Sequence, residues 1–355
     1  MSLQFKTQET REIRPRQNFE GHAGWVSGVI HLPGGQRMMT CSYDGSLRVW
    51  NSQTGKQIGN NWRNGEGGVN AIALSPDGTR VVGGTDDSEV LLWNIDTEKV
   101  IWTGQHAGDI KWVCWNRDGG RVLSGSLDGT ARVWDVESRK TVLEIDTGLR
   151  DVQAMICSPD TTMIAIGGYY SDEWLNIWDA NTGKFLTHLK GHTGSVHCLA
   201  WTADGKKLIS GSVDCSIRTW NTTTWQQINV LTGHTSFVSG IALSPNGLIL
   251  ASASWDKTAR LWHLEKSQSI GMPLQHPTDV ECVSFSTDGR LLVTGCDDDN
   301  AYSWDIAPIV REAGLDELLL SPNVSCHLLI SPYQLNTLLI VGWRQAVTQC
   351  SSQIF

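Results

Sequence analysis

Between Gly191 and Trp220 the chain gathers His192, His197, Cys198, Ser212, Asp214 and Cys215. Two chemistries use such residues. Serine, histidine and aspartate can form a nucleophilic relay, in which imidazole takes the hydroxyl proton and the carboxylate orients the imidazole. Histidine and cysteine can instead hold zinc. The zinc reading, widened to include His188, fails on spacing, because these residues fall on two strands and a connecting loop and match no zinc pattern. The relay needs a single activated nucleophile with room for a substrate and an oxyanion hole. Here the same group recurs along the chain, which points to architecture.

Trp50, Trp93, Trp134, Trp178, Trp220, Trp262 and Trp304 follow one another at intervals of 43, 41, 44, 42, 42 and 42 residues. Six residues before each stands an aspartate: Asp44, Asp87, Asp128, Asp172, Asp214, Asp256 and Asp298. Twenty-two residues before five of those stands a histidine: His22, His106, His192, His234 and His276. A period near 42 residues marks a repeat architecture. Each unit reads as a half-buried run such as "VHCLAWT", a turn such as "TADG", a second run such as "KKLISGS", a tight hairpin into the tryptophan run, and a looser fourth run. Short runs rich in Val, Ile and Trp between Gly, Asp and Pro turns are strands. The expectation is four antiparallel strands per unit.

At these residues the chain resembles the WD-repeat (WD40) family of β-propellers, over roughly residues 12–306. The resemblance rests on the Gly-His pairs at Gly21-His22, Gly191-His192 and Gly233-His234, on the hairpin aspartates, and on Trp-Asp or Trp-Asn ends such as Trp134-Asp135 and Trp220-Asn221. It is loosely similar to the propeller regions of fungal and bacterial multi-repeat proteins. It implies an all-β fold of seven blades, each of four antiparallel strands. It also implies that histidine, hydroxyl, aspartate and tryptophan form one buried hydrogen-bond chain in a blade. The assignments are His22, Ser42, Asp44, Trp50; His106, Ser126, Asp128, Trp134; His192, Ser212, Asp214, Trp220; and His234, Ser254, Asp256, Trp262. Such a chain satisfies every buried polar group and stiffens the blade. Repeat two has Gly65 and Thr85 at the histidine and hydroxyl positions, repeat seven has Cys296 for the hydroxyl, and repeat four lacks the histidine. Blades two and four should therefore be the softer ones.

Net charge is −9, and no lysine/arginine block offsets it. Nucleic acid and anionic membrane are therefore disfavoured as partners. Nine scattered cysteines without a CxxC pair read as reduced, buried thiols. With no apolar leader in "MSLQFKTQETREIRPRQ", a cytoplasmic protein is expected. There is no GxxxxGK[ST], GxSxG or HExxH motif. No metal or cofactor is expected.

A ring of blades must close. Residues 1–11 read as a flexible tail. "REIRPRQNF" stands where fourth strands stand elsewhere, so the N-terminus should supply the outer strand of the last blade, an edge where Pro15 is tolerated. Residues 307–320, with Pro308, read as a short helix. Residues 321–355 carry one charge, Arg344, and read as a loosely ordered tail, with packing on the propeller, partner docking or a misread gene end as alternatives.

In the family, ligands usually meet the face bearing the start of the first strand and the second-to-third hairpin. Carried onto this chain, that face holds Trp25, Ser27 and Tyr43; Phe237, Ser239 and Trp255; and Asp279, Glu281 and Asp297. Ser195, His197 and Val213 follow in repeat five. Asp86, Asp109 and Asp151 add acid, with Lys111 the one cation. Three carboxylates between two aromatic pairs suit a basic segment. The expectation is a non-catalytic interaction scaffold binding a protein or peptide, as a monomer or a module of a larger assembly. The alternative is an enzyme with its site at the mouth of the central channel.

Overall fold

A computed structural model describes residues 13–169 and 174–319. Asp172, the tail readings for 1–11 and 321–355, and Arg344 lie outside the described residues.

Seven four-stranded antiparallel sheets follow one another. Blade one runs outward as Val26–His31, Arg37–Ser42, Leu47–Asn51 and Gln57–Trp62. Blades two to six repeat that order, starting from Val69–Leu74, Ile110–Trp115, Asp151–Cys157, Val196–Trp201 and Val238–Leu243. Blade seven has only Val280–Phe285, Leu291–Cys296 and Ala301–Asp305 from its own repeat. Its outer strand is Gln17–Phe19, with Gln17 opposite Ser303 and Phe19 opposite Ala301. The expected closure is therefore seen. Phe19 is buried in the seam among Val26, Met38, Trp50, Val293 and Ala301.

The core consists of wedges between neighbouring blades. Between blades one and two, for example, Met39, Cys41 and Trp62 pack on Val69, Val81 and Trp93. Residues Ala307–Glu312 form a helix with Pro308 in its first turn, and Asp316–Leu319 a 3-10 turn. Ile309, Val310 and Leu318 bury themselves with Ile270 and Leu274 of blade six.

The buried hydrogen-bond chain exists, but its hydroxyl is not the one assigned from sequence. In blade five the Trp220 indole N–H donates to Ser210 Oγ at 2.9 Å, and that oxygen lies 2.8 Å from Nε2 of His192. His192 Nδ1 is 2.8 Å from Asp214 Oδ2. Thr40 links His22 to Trp50, Ser124 links His106 to Trp134, and Ser252 links His234 to Trp262. Register is the reason. Trp50 stands opposite Met38, so Thr40 is its near same-face neighbour and Ser42 lies another two residues along the strand. Ser42, Ser126, Ser212 and Ser254 serve the hairpin instead, each donating to the carbonyl of Gly24, Gly108, Gly194 or Ser236.

The same shift corrects the irregular repeats. In blade seven Thr294, not Cys296, joins Trp304 to His276 at 3.1 and 2.8 Å. His276 then turns Nδ1 to the Leu274 carbonyl, and Asp298 takes the Tyr302 hydroxyl. In blade two the hydroxyl position is Gly83, not Thr85, and the Trp93 ring lies against it. In blade four it is Ile166, and the Trp178 indole N–H is buried without a partner among the described residues.

Both hydrogen-bonded ends of this chain are tuned by it. Burial holds His192 below its ordinary range, which keeps it neutral and lets Nε2 accept from Ser210. Burial alone would raise Asp214. Hydrogen bonds from His192, Ser216 and the Thr193 N–H outweigh it and hold the carboxyl well below the usual range.

Candidate functional site

All seven first strands bulge at the same place. Val26 faces Ser42 and Gly28 faces Cys41, which leaves Ser27 without a partner on the next strand. The same slip occurs at Asn70, Lys111, Gln153, His197, Ser239 and Glu281. A bulge re-aims the extra side chain. All seven of these side chains line one cavity of about 390 Å³ at the mouth of the central channel. Nothing in composition announces the bulge. The only sequence signal is a residue of any type following the opening Val or Ile.

Three of the seven are committed to joining blades. Ser27 donates to the Val69 carbonyl at 2.6 Å, Asn70 to Ile110 at 2.9 Å, and Ser239 to Val280 at 2.5 Å. Glu281 instead faces the Trp255 indole N–H of blade six, and Lys111, Gln153 and His197 make no such bond among the described residues. Trp112, beside the bulge, packs on the wedges of blades three–four and five–six, so it reaches across the axis.

The aromatic residues come in pairs for a backbone reason. The hairpin N–H of Tyr43 donates to the Trp25 carbonyl, and that of Trp255 to the Phe237 carbonyl, both at 3.0 Å. Each bond sets two side chains next to each other. Trp25 meets Tyr43 edge-on with ring centroids 5.5 Å apart, and Phe237 meets Trp255 at 4.7 Å. Trp25, Tyr43 and Trp255 remain 47%, 40% and 42% exposed. In blade seven the same bond, Asp297 N–H to Asp279 carbonyl at 3.2 Å, pairs two carboxylates.

Of the residues singled out from sequence, Tyr43, Phe237, Trp255 and Glu281 line the mouth, with Ser27, Ser239, His197 and Lys111. Trp25, Asp279 and Asp297 flank it. Burial, then the charges of Asp297 and Asp279, push Glu281 up to about 7, partly opposed by the Trp255 indole N–H. Burial and Asp297 also raise Asp279. One carboxylate oxygen of Asp297 is buried without a partner. The opposite rim is different. Lys111 Nζ lies 5.8 Å from the Tyr43 ring centre and 3.6 Å from Asp109. His197 stacks edge-on with Phe237 at 4.4 Å, and burial lowers it to about 4. The mouth is therefore acidic on the blade-seven side and carries its own cation on the blade-three side. Among the described residues no three His, Cys, Asp or Glu side chains are placed to hold a metal ion.

The description "WD domain, G-beta repeat" matches residues 13–51, 57–94, 98–135, 183–221, 225–263 and 268–305, well over half the chain. The chain belongs to the WD40 repeat family. The WD40 match skips the stretch holding blade four, the blade with Gly148 and Ile166 at the histidine and hydroxyl positions. Among curated WD-repeat relatives, a serine-threonine kinase receptor-associated protein of Dictyostelium discoideum is 38% identical over 19% of this chain and 22% of its own. A THO complex subunit 6 homolog of Danio rerio is 35% identical over 22% and 23%. The pre-rRNA-processing protein IPI3 of Mycosarcoma maydis is 35% identical over 19% and 11%. The chain thus spans less than a quarter of the length of these relatives. WD40 propellers are typically protein-interaction scaffolds, and that coarse role follows from the family.

Proposed function

We propose that this protein is a non-catalytic scaffold that binds a basic peptide or protein segment at the channel mouth. The observation that supports this reading is the Asp279–Asp297 pair with Glu281, standing between the Trp25–Tyr43 and Phe237–Trp255 couples, of which Trp25, Tyr43 and Trp255 are exposed. An Arg or Lys side chain over such rings gains about 0.5–2 kcal/mol by cation–π contact. The carboxylates steer and pair with it. One relative is named as a THO complex subunit homolog, in keeping with a protein partner. The net charge of −9 weighs against nucleic acid and anionic membrane. A cytoplasmic location, as a monomer or a module of a larger assembly, belongs to the same proposal.

The enzyme reading has less support. The hydroxyls of Ser27 and Ser239 are spent on carbonyls, and His197 is packed on Phe237 rather than bonded to either. A nucleophile needs a base within hydrogen-bond reach.

The test pairs Trp255→Ala with Glu281→Lys. Capture from cell extract, read by mass spectrometry, should lose the wild type's specific partner, while a cooperative melt shows that the ring is still folded. Arrays of basic and acidic peptides give a second readout, and binding should weaken with salt, because exposed charges are screened within ~8 Å at physiological ionic strength. Retained binding in the double variant, or indifference to salt, sinks the proposal.

A further inference from the structure

A second cavity, about 750 Å³, lies at the other end of the ring from the channel mouth. It occupies the seam where blade seven meets blade one. Three arginines line it, each from a different segment: Arg16 from the lead-in to the closing strand, Arg290 from the first turn of blade seven, and Arg311 from the helix after the last blade.

The seam is also where the repeat's turn chemistry changes. Six blades carry Asp or Asn in the turn after the first strand: Asp77, Asp118, Asp160, Asp204, Asn246 and Asp288. Blade one has Gly34 there, with φ +89° and open space where a side chain would begin. A carboxylate is thereby missing from one wall, and the cavity stays open.

Among the described residues two carboxylates line the cavity, but both are engaged by groups of their own turns. Asp288 Oδ1 accepts from Ser286 Oγ at 2.5 Å and from the Arg290 N–H at 3.1 Å. Asp305 Oδ1 accepts from the Ala307 N–H at 3.1 Å. The guanidinium groups are loosely held by contrast. Arg16 reaches Gln53 Oε1 at 3.4 Å, and Arg311 Nε is 3.5 Å from exposed Asp316. The Arg290 guanidinium acts on Asp288 only through its charge and makes no hydrogen bond or close ion pair with the described residues. Three planar forks with donors to spare match phosphate oxygens. No aromatic ring of the described residues lines the cavity, so a nucleobase would find no stacking partner among them.

We propose that the seam cavity binds the polyphosphate group of a small molecule through Arg16, Arg290 and Arg311, and that occupancy ties the closing strand to the last blade and its helix. The full chain is melted with inorganic pyrophosphate, against sodium chloride at equal ionic strength. A ligand that binds only the folded ring raises its stability with concentration. The expected result is a saturable rise of several degrees over the chloride control. The rise should vanish in Arg16→Gln/Arg290→Gln/Arg311→Gln, which replaces three exposed side chains. Calorimetric titration of Arg290→Gln alone should show at least a tenfold weaker pyrophosphate affinity, which keeps the test sound if the triple variant fails to fold. Exchange of the Arg16 amide, which donates to the Ser303 carbonyl at 2.7 Å, should slow when ligand is bound. ADP should bind no more tightly than pyrophosphate. No rise above the chloride control, an undiminished rise in the triple variant, or unchanged affinity in Arg290→Gln overturns the proposal. Binding of ADP without binding of pyrophosphate overturns it too, because recognition would then lie in the base.

Discussion

Ser210 Oγ receives the indole N–H of Trp220 at 2.9 Å, ten residues away in sequence and buried on the adjacent strand. That oxygen also serves His192, so one hydroxyl satisfies two buried groups. Ser210→Ala strands both. Each orphaned buried group costs about 1–3 kcal/mol, so the variant should lose about 2–6 kcal/mol. Ser212→Ala removes only a hairpin bond to the Gly194 carbonyl and one to the Asp214 N–H, and should cost about 1 kcal/mol. Chemical denaturation of both variants checks the order. A larger loss in Ser212→Ala would return the bridging role to the residue that the sequence pattern suggests.

Ring closure rests on a short strand. Deleting residues 1–19 removes Phe19 from the seam and leaves the edge of Ala301–Asp305 unpaired. Burying a Phe side chain is worth about 1.5–3 kcal/mol, before the lost ladder bonds are counted. The truncated chain should melt many degrees lower. Phe19→Ala, which keeps the backbone ladder, should fall between it and the wild type. Truncation that shifts the melting temperature by only a degree or two would show that the closing strand contributes little.

The blade count, the four strands and the N-terminal closure were all legible in the sequence, because each rests on a period. Trp50 and Asp44 recur by counting, and the counting needs no geometry. The hydroxyl was misplaced by two residues because Thr40 and Ser42 share a strand face, and only register tells which one meets Trp50. At the mouth, Phe237 and Trp255 were found because both positions recur. Lys111, His197 and Glu281 were placed on that face by the same recurrence, whereas Gln153 was missed, and their meeting in one cavity depends on the bulge in every first strand, which turns them inward. The seam cavity lies between the two ends of the ring, where the repeat no longer applies.

His31 is buried at 8% exposure with neither ring nitrogen bonded. Burial, slightly opposed by Asp288, lowers it to about 4. The same position in other blades holds Leu74, Trp115, Cys157, Trp201, Leu243 and Phe285. His31→Leu should therefore stabilise the protein by about 1–2 kcal/mol near neutral pH, by removing unpaired polar atoms and adding apolar burial. A histidine with a lowered folded value favours the folded state fully above pH 6.5, and this contribution is lost as pH falls towards 4. The advantage of Leu over His should thus grow between pH 7 and pH 5. Melting curves at both values decide it, and equal gains at the two would show that His31 does not titrate as a buried group.

Glu281 gives the opposite sign. Its folded value, about 7, lies above its ordinary value of 4.5, because burial and the Asp279–Asp297 pair disfavour its charge. Its contribution to stability is complete below pH 4.5 and is lost as pH rises through 7. Glu281→Gln has no charge to bury, so it should melt higher than wild type at pH 8, by an amount on the order of 2–4 °C per kcal/mol recovered. The difference should close below pH 4.5, where both side chains are neutral. If the mouth takes a basic segment, the same variant should bind it more weakly at pH 8, where the lost carboxylate would have paired with the cation. A more stable protein that binds less is the mark of strain kept at a working site. A variant that loses both stability and binding at pH 8 would instead make Glu281 a structural residue whose charge the mouth already satisfies.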